Sequence, residues 1–358
     1  MLGLNLGFLP VGIMFLMNLW LTAPLPVTTR EAPVTPPRRL AIYYGWPSLV
    51  NDAQGDVSRA TEAFSQFDIV VLGDGLAHPA HADHAKTKEI IGRLAAGGTE
   101  VYGYVDMGVT TQNLSIPTAT QDVDEWAALG VSGIFWDDAG YDHGVDRTRQ
   151  DQLIDVTHAR GLRVFINAWN PDDVFADHPG PTRLASGDLY LAESWLVGGN
   201  RYRDLTQWAA KADKLLAYRA QTGVGIAAIS TGDVQGALAL PGDPFQMGWW
   251  GAAMYNLDAF GYTDPLYSSS GPDANQLCIP SSAAPAYGTS FIQDEVSHQR
   301  ADAYHLRRTD LGQIVVAGDG ASWGAGYFEA GFCGAGLRPT PAPIQIRFRC
   351  LWLPFSRN

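Results

Sequence analysis

The chain has 358 residues, 46% of them hydrophobic, enough for one large core or two ordinary ones. Its 37 acidic against 24 basic residues leave a net charge of −13, which argues against a nucleic-acid partner and admits neutral or cationic ligands. Cys278, Cys333 and Cys350 show no C-x-x-C spacing, so no structural zinc site is expected, and their odd number decides nothing about disulfides.

Met1 to Ala23 carry no charge and are mostly apolar, as in a secretory signal peptide or a membrane anchor. No Lys or Arg precedes the apolar run and Pro24 follows Ala23, so a misplaced start codon is the alternative. Residues 24–39 contain five prolines and read as an extended linker. The expected location is secreted or cell-surface, with membrane anchoring through residues 1–23 as one form of it.

From Leu40 to Asp264, β-branched and aromatic runs alternate with helical segments, which predicts parallel strands joined by crossover helices. The strands are expected at Leu40–Tyr44, Asp68–Leu72, Glu100–Val105, Gly133–Trp136, Arg163–Ile166, Leu189–Ala192, Gly225–Ile229 and Ala259–Tyr262. Helices are expected at Asp146–Arg160, ended by Gly161, and at Tyr202–Gln221. Eight such units in about 225 residues predict an α/β fold of the closed (β/α)8 (TIM) barrel type. An open doubly wound sheet is the alternative, but Tyr44-Gly45-Trp46-Pro47 after the first strand is no phosphate loop. Residues 265–358 are expected to form an irregular, loop-rich extension and tail, with one further strand at Gln313–Val316. The stretch from Ala330 to Asn358, with four arginines and no acid, is left without a function.

In such a barrel chemistry sits at the carboxyl ends of the strands. Those positions hold Tyr44, Asp74, Asp106, Asp137, Asp138, Asn167, Trp169, Glu193 and Trp195, an acidic and aromatic rim. Asp137 continues the inward alternation of Phe135, and Asp138 is equally a turn or cap residue. Glu193 ends its strand where no cap is needed, with Arg183 or Lys211 as a candidate ion-pair partner. Two carboxylates on one opening are what glycoside hydrolysis requires. Trp46, Trp136, Trp169 and Trp195 offer flat faces for sugar rings, although tryptophan in a barrel is often core. His78-Pro-Ala-His81-Ala-Asp-His84 invites a metal reading, but no His-Glu-x-x-His pattern accompanies it, and no metal or organic cofactor is expected.

Val101-Tyr-Gly-Tyr-Val-Asp106, Gly130-Val-Ser-Gly-Ile-Phe-Trp-Asp-Asp138 and Leu189-Tyr-Leu-Ala-Glu193 resemble the spherulin-4-like glycoside hydrolases and the related endo-α-1,4-polygalactosaminidases. The likeness spans roughly Leu40 to Asp264. It implies an extracellular glycoside hydrolase acting on a galactosamine-containing polysaccharide, with Asp137 and Glu193 catalytic and Asn167 touching substrate. The family often has Glu where this chain has Asp138. The extra Gly140-Tyr-Asp142 and Asn167-Ala-Trp-Asn-Pro171 segments mark a subgroup. Of the two acids, Glu193 is expected to act as general acid/base, raised by Trp195, and Asp137 as nucleophile or ion stabiliser. Two other classes stand beside this one: a non-catalytic polysaccharide-binding envelope protein, and a scaffold whose rim acids bind cations.

Overall fold

The computed structural model describes residues 32–73, 75–177, 180–232, 240, 242–264, 275–280, 285–299, 304–318, 323–329 and 348–349. Eight parallel strands close into a barrel. They are β1 (Arg38–Tyr43), β2 (Ile69–Leu72), β3 (Glu100–Asp106), β4 (Gly133–Asp137), β5 (Arg163–Asn167), β6 (Leu189–Ala192), β7 (Gly225–Thr231) and β8 (Ala259–Thr263), and β8 pairs back onto β1. The barrel is therefore the predicted (β/α)8-type architecture, not an open sheet.

Alternation along each strand divides the core in two. Leu40, Ile42, Ile69, Val71, Tyr102, Phe135, Phe165, Leu189, Leu191, Ala227, Ile229 and Ala259 fill the barrel interior. The intervening residues pack outward against the helices, as Trp136 does, its indole N–H donating to Thr157 Oγ1 on the next helix at 3.0 Å. At Gly73 the interior has no room for a side chain, because a Cβ there would lie 2.7 Å from the Tyr44 ring.

Among the described residues seven helices surround the strands: α1 (Val57–Phe64), α2 (His84–Ala96), α3 (Ile116–Leu129), α4 (Arg147–His158), the single turn α5 (Asp172–Phe175), α6 (Leu205–Thr222) and α7 (Pro244–Met254). Asp56, Ser115, Asp146, Asp204 and Asp243 cap α1, α3, α4, α6 and α7 through their side-chain oxygens. Helix α7 is buried all round from Phe245 to Met254. One side faces the barrel, and the other meets an element that composition did not foretell.

That element corrects the expectation of a loop-rich extension. Strands β9 (Ser297–Gln299), β10 (Tyr304–Arg308), β11 (Gly312–Gly318) and β12 (Trp323–Glu329) form an antiparallel meander, with β11 and β12 packed on α7. The strand expected at Gln313–Val316 is the middle of β11. Ile314 and Val316 are buried, and the Tyr327 ring stacks on Trp250 of α7. Among the described residues no helix follows β8.

Part of the expected linker is also bound. Ala32 and Pro33 pair with Phe291 and Ser290, and Asn256 receives Thr35 N–H at 3.0 Å, so residues 32–37 lie against the barrel. Residues 1–23, where a signal or anchor is expected, lie outside the described residues, as do 24–31 and most of 330–358. No helix among the described residues is long and apolar enough to cross a membrane. Cys278 is disulfide-bonded.

Candidate active site

The inward register that fills the barrel continues past the last apolar layer. On β3, β4, β5 and β6 the next inward positions are Tyr104, Asp137, Asn167 and Glu193, at the carboxyl ends of the strands.

Asn167 joins the two acids. Its Nδ2 donates to Asp137 Oδ1 at 2.8 Å and to Glu193 Oε2 at 3.1 Å. An amide nitrogen has two hydrogens, pointing roughly 120° apart, so two acceptors at these distances stand about 5 Å from each other. Among the described residues the buried Asn167 Oδ1 has no protein partner, an acceptor left for a ligand hydroxyl or amine.

Asp137 also accepts the Asp138 backbone N–H at 3.0 Å, and the Tyr104 phenol lies within the reach of its charge. Partly open at the mouth, it is otherwise crowded by protein. Burial, then the like charge of Asp138, pushes its pKa up to about 6 against the pull of Asn167. The same surroundings raise the Tyr104 phenol, chiefly through burial and then Asp137 itself. Replacing Tyr104 with Phe removes a polar hydroxyl near the ionised carboxylate, so the pKa of Asp137 should rise further. In a pH–rate profile the limb that reports Asp137 should move to higher pH, by about half a unit or more. An unmoved limb would separate Tyr104 from Asp137.

Asp138 adopts left-handed backbone, φ 52°, directly after β4, and stands 3.4 Å from His143 Nε2. Its carboxyl is raised, mostly by burial, with His143 opposing. Asp106 is buried and holds its own loop, its Oδ1 accepting Gly108 N–H and the Thr111 hydroxyl, each at 2.7 Å. Tyr44 meets Tyr104 edge-on, centroids 5.6 Å apart. A cavity of about 560 Å³ opens here, lined by Tyr44, Tyr104, Asp106, Trp126 and Asp137, with Asp122 and Glu125 of α3 further out. Glu193 and Asn167 stand at its side and not in its wall. Asp74 lies outside the described residues.

The tryptophans part company. Trp169 is 53% exposed on the loop after β5. Trp46 is partly exposed and meets His81 edge-on. Trp136 is core, as described. Trp195 corrects the expectation of a sugar contact. It is 2% exposed and lies edge-on to Trp208 of α6 and Tyr255 after α7. The cause is local: Ser194, φ 54°, breaks the alternation after Glu193 and turns the following indole out of the barrel. Neither expected partner forms an ion pair with Glu193. Arg183 faces Asp151, and Lys211, on α6, reaches the carbonyl of Trp169. His78 and His81 bond the backbone two residues on, at Ala80 N and Asp83 N, and His84 reaches back to Leu76 O.

Tyr104, His143 and Arg203 are not among the residues expected at the site, and Lys211 was expected there only as an ion-pair partner of Glu193. Period-two counting from Tyr102 would have reached Tyr104. Nothing local marks His143 and Arg203, which arrive on a 3-10 turn and a loop.

No protein-family profile and no curated protein matches the chain. Among solved structures it is similar to the glycoside hydrolase domain of PelA from Pseudomonas aeruginosa, at 17% identity over 64% of this chain and 95% of that one, TM-score 0.41. It is also similar to an HpcH/HpaI aldolase from Desulfitobacterium hafniense DCB-2 (10%, 64% and 86%, TM-score 0.35) and a GH5-4 endoglucanase from Clostridium longisporum (10%, 60% and 76%, TM-score 0.38). Likenesses this distant add nothing on chemistry to the barrel itself, which hosts hydrolases and aldolases alike.

Proposed function

We propose that the chain is a glycoside hydrolase working by two carboxylates with retention of configuration. The observation that carries this reading is Asn167 Nδ2 held between Asp137 and Glu193, at 2.8 and 3.1 Å, on the carboxyl side of the barrel. A separation of about 5 Å suits a retaining pair. An inverting pair needs roughly 6.5 Å or more, to fit a water beneath the sugar.

The roles are assigned by surroundings. Glu193 was expected to carry the proton because of Trp195, and that indole lies elsewhere. The carboxyl that burial and a like charge lift toward neutrality is Asp137. Asp137 then serves as general acid to the leaving oxygen and as general base to the incoming water, and Glu193 as nucleophile. In the first step Glu193 attacks the anomeric carbon while Asp137 gives its proton to the departing glycosidic oxygen. In the second, Asp137 takes a proton from water, which displaces Glu193 and restores both groups. Asn167 fixes the two carboxylates relative to each other, and its free Oδ1 is available to a ring substituent.

The acids beside the cavity, Asp106, Asp122, Glu125 and Asp138, favour a sugar bearing an ammonium group, so an amino-sugar polysaccharide of the galactosamine kind is the substrate class. Incubation with galactosamine-containing and neutral glycans should release shorter products from the former. Proton NMR of the first product should show the anomeric configuration of the parent. An inverted first product would overturn the assignment, and binding without cleavage would favour the polysaccharide-binding alternative.

The disulfide at Cys278 and the apolar residues 1–23 together support an extracytoplasmic location. Cell fractionation should recover the protein outside the cytoplasm with Cys278 oxidised. Reduced, cytoplasmic protein would argue for the misplaced start.

A further inference from the structure

The rim is divided by charge. On the β3–β4 side stand Asp106, Asp137 and Asp138, with Asp142 close to His143. On the β5–β6 side the backbone segments that follow Asn167 and Glu193 are each held by a cation. Lys211 Nζ donates to Trp169 O at 2.9 Å, and Arg203 Nε donates to Ser194 O at 3.3 Å. Both cations also lie over the exposed Trp169 ring, Nζ at 5.0 Å and the guanidinium carbon at 5.4 Å from its centroid. Among the described residues neither has a carboxylate within ion-pair distance.

An ammonium offers three hydrogens and a guanidinium five, and the protein bonds described here use one of each. The remaining donors belong to two half-buried, neighbouring like charges in a chain of net charge −13. Burial and then Arg203 lower the pKa of Lys211 to about 8, while the charge of Glu193 works against both, so the site still carries most of its positive charge at neutral pH. Glu193 offsets part of this charge from beyond ion-pair distance, and the unused donors of the two cations remain open to an anion that joins them at some stage of function.

We propose that Trp169, Arg203 and Lys211 form a subsite for a sugar ring bearing an anionic substituent, a carboxylate or a sulfate ester. The neighbouring ring on the acidic side carries the ammonium. Resting on the glycosidase reading, this narrows the substrate to a glycan in which amino and acidic sugars adjoin. Charge sorting fixes the direction in which such a chain lies across the carboxylate pair, because the reversed chain would set like charges against each other at both ends.

Titration calorimetry on the full chain carrying Asp137→Asn, which halts turnover, tests the subsite. The probes are a galacturonate trisaccharide, a sulfated N-acetylgalactosamine trisaccharide and its unsulfated counterpart. One of the two anionic probes should bind roughly tenfold more tightly than the neutral one, and which one does so identifies the anion. The preference should shrink with added salt and vanish in Arg203→Gln and in Lys211→Gln. Arg203→Gln, nearer the surface loop, covers the case in which Lys211→Gln fails to fold. Equal binding of all three probes, or a preference that survives Arg203→Gln, would overturn the proposal. Wild-type turnover is measured separately: anion preference without any glycan cleavage would sink the hydrolase reading and leave this subsite standing.

Discussion

Asp137→Asn and Glu193→Gln should each lower kcat by roughly a hundredfold or more on an unactivated glycan. Each change is close to isosteric and each residue sits on a strand end whose backbone pairing does not involve its side chain, so folding should survive. A glycoside with an acidic phenol as leaving group then separates the roles. That leaving group departs without a proton, so the first step of Asp137→Asn should run near the wild-type rate, as a burst of phenol, while Glu193→Gln remains inactive. The opposite pattern would exchange the roles. Wild-type rates in both variants on the unactivated glycan would remove the two-carboxylate mechanism altogether.

The stability of Asp137→Asn should depend on pH in a way no surface substitution reproduces. Asp137 has a folded pKa of about 6 against an ordinary carboxyl value of 3.8, so the fold binds its proton more tightly than the unfolded chain does. Its contribution to stability is fully present below the unfolded value and is lost as pH rises through about 6. Asparagine cannot ionise and loses nothing. Whatever the substitution costs in lost hydrogen bonds, the difference between variant and wild type should move in favour of the variant from pH 4 to pH 8. Tighter proton binding of this size corresponds to about 3 kcal/mol, trimmed to about 2 by solvent at the open mouth. Denaturant midpoints at the two pH values measure it. A difference that is flat with pH would show that the carboxyl is not held in its neutral form by the fold. On the proposed mechanism, the same raised pKa that costs stability at neutral pH would equip Asp137 to exchange a proton there.

Strand positions and the three central site residues were readable because both rest on period two. Side chains at alternate positions must enter a closed barrel, so counting inward from Phe135, Phe165 and Leu191 leads to Asp137, Asn167 and Glu193 without knowledge of any contact. Helix starts were readable for a similar reason: Asp146 can satisfy the first free N–H groups of α4 from its own side chain. Composition misjudged residues 297–329. Sheet β9–β12 draws its stability from packing on α7, and local sequence carries no record of a distant partner.

The sequence by itself determined the barrel, its inward register and the identity of the paired acids, since local sterics and alternation govern all three. Only the tertiary structure decided the surroundings of the two acids. Left-handed backbone at Ser194 sent Trp195 into the core, taking with it the reason to give Glu193 the proton. Folding set Asp138 and Tyr104 against Asp137, drew Asn167 between the acids, and brought Lys211 of α6 and Arg203 to the loop after β5. A pKa and a charge pattern are sums over neighbours in space, and residues far apart in the chain become neighbours only when the barrel closes.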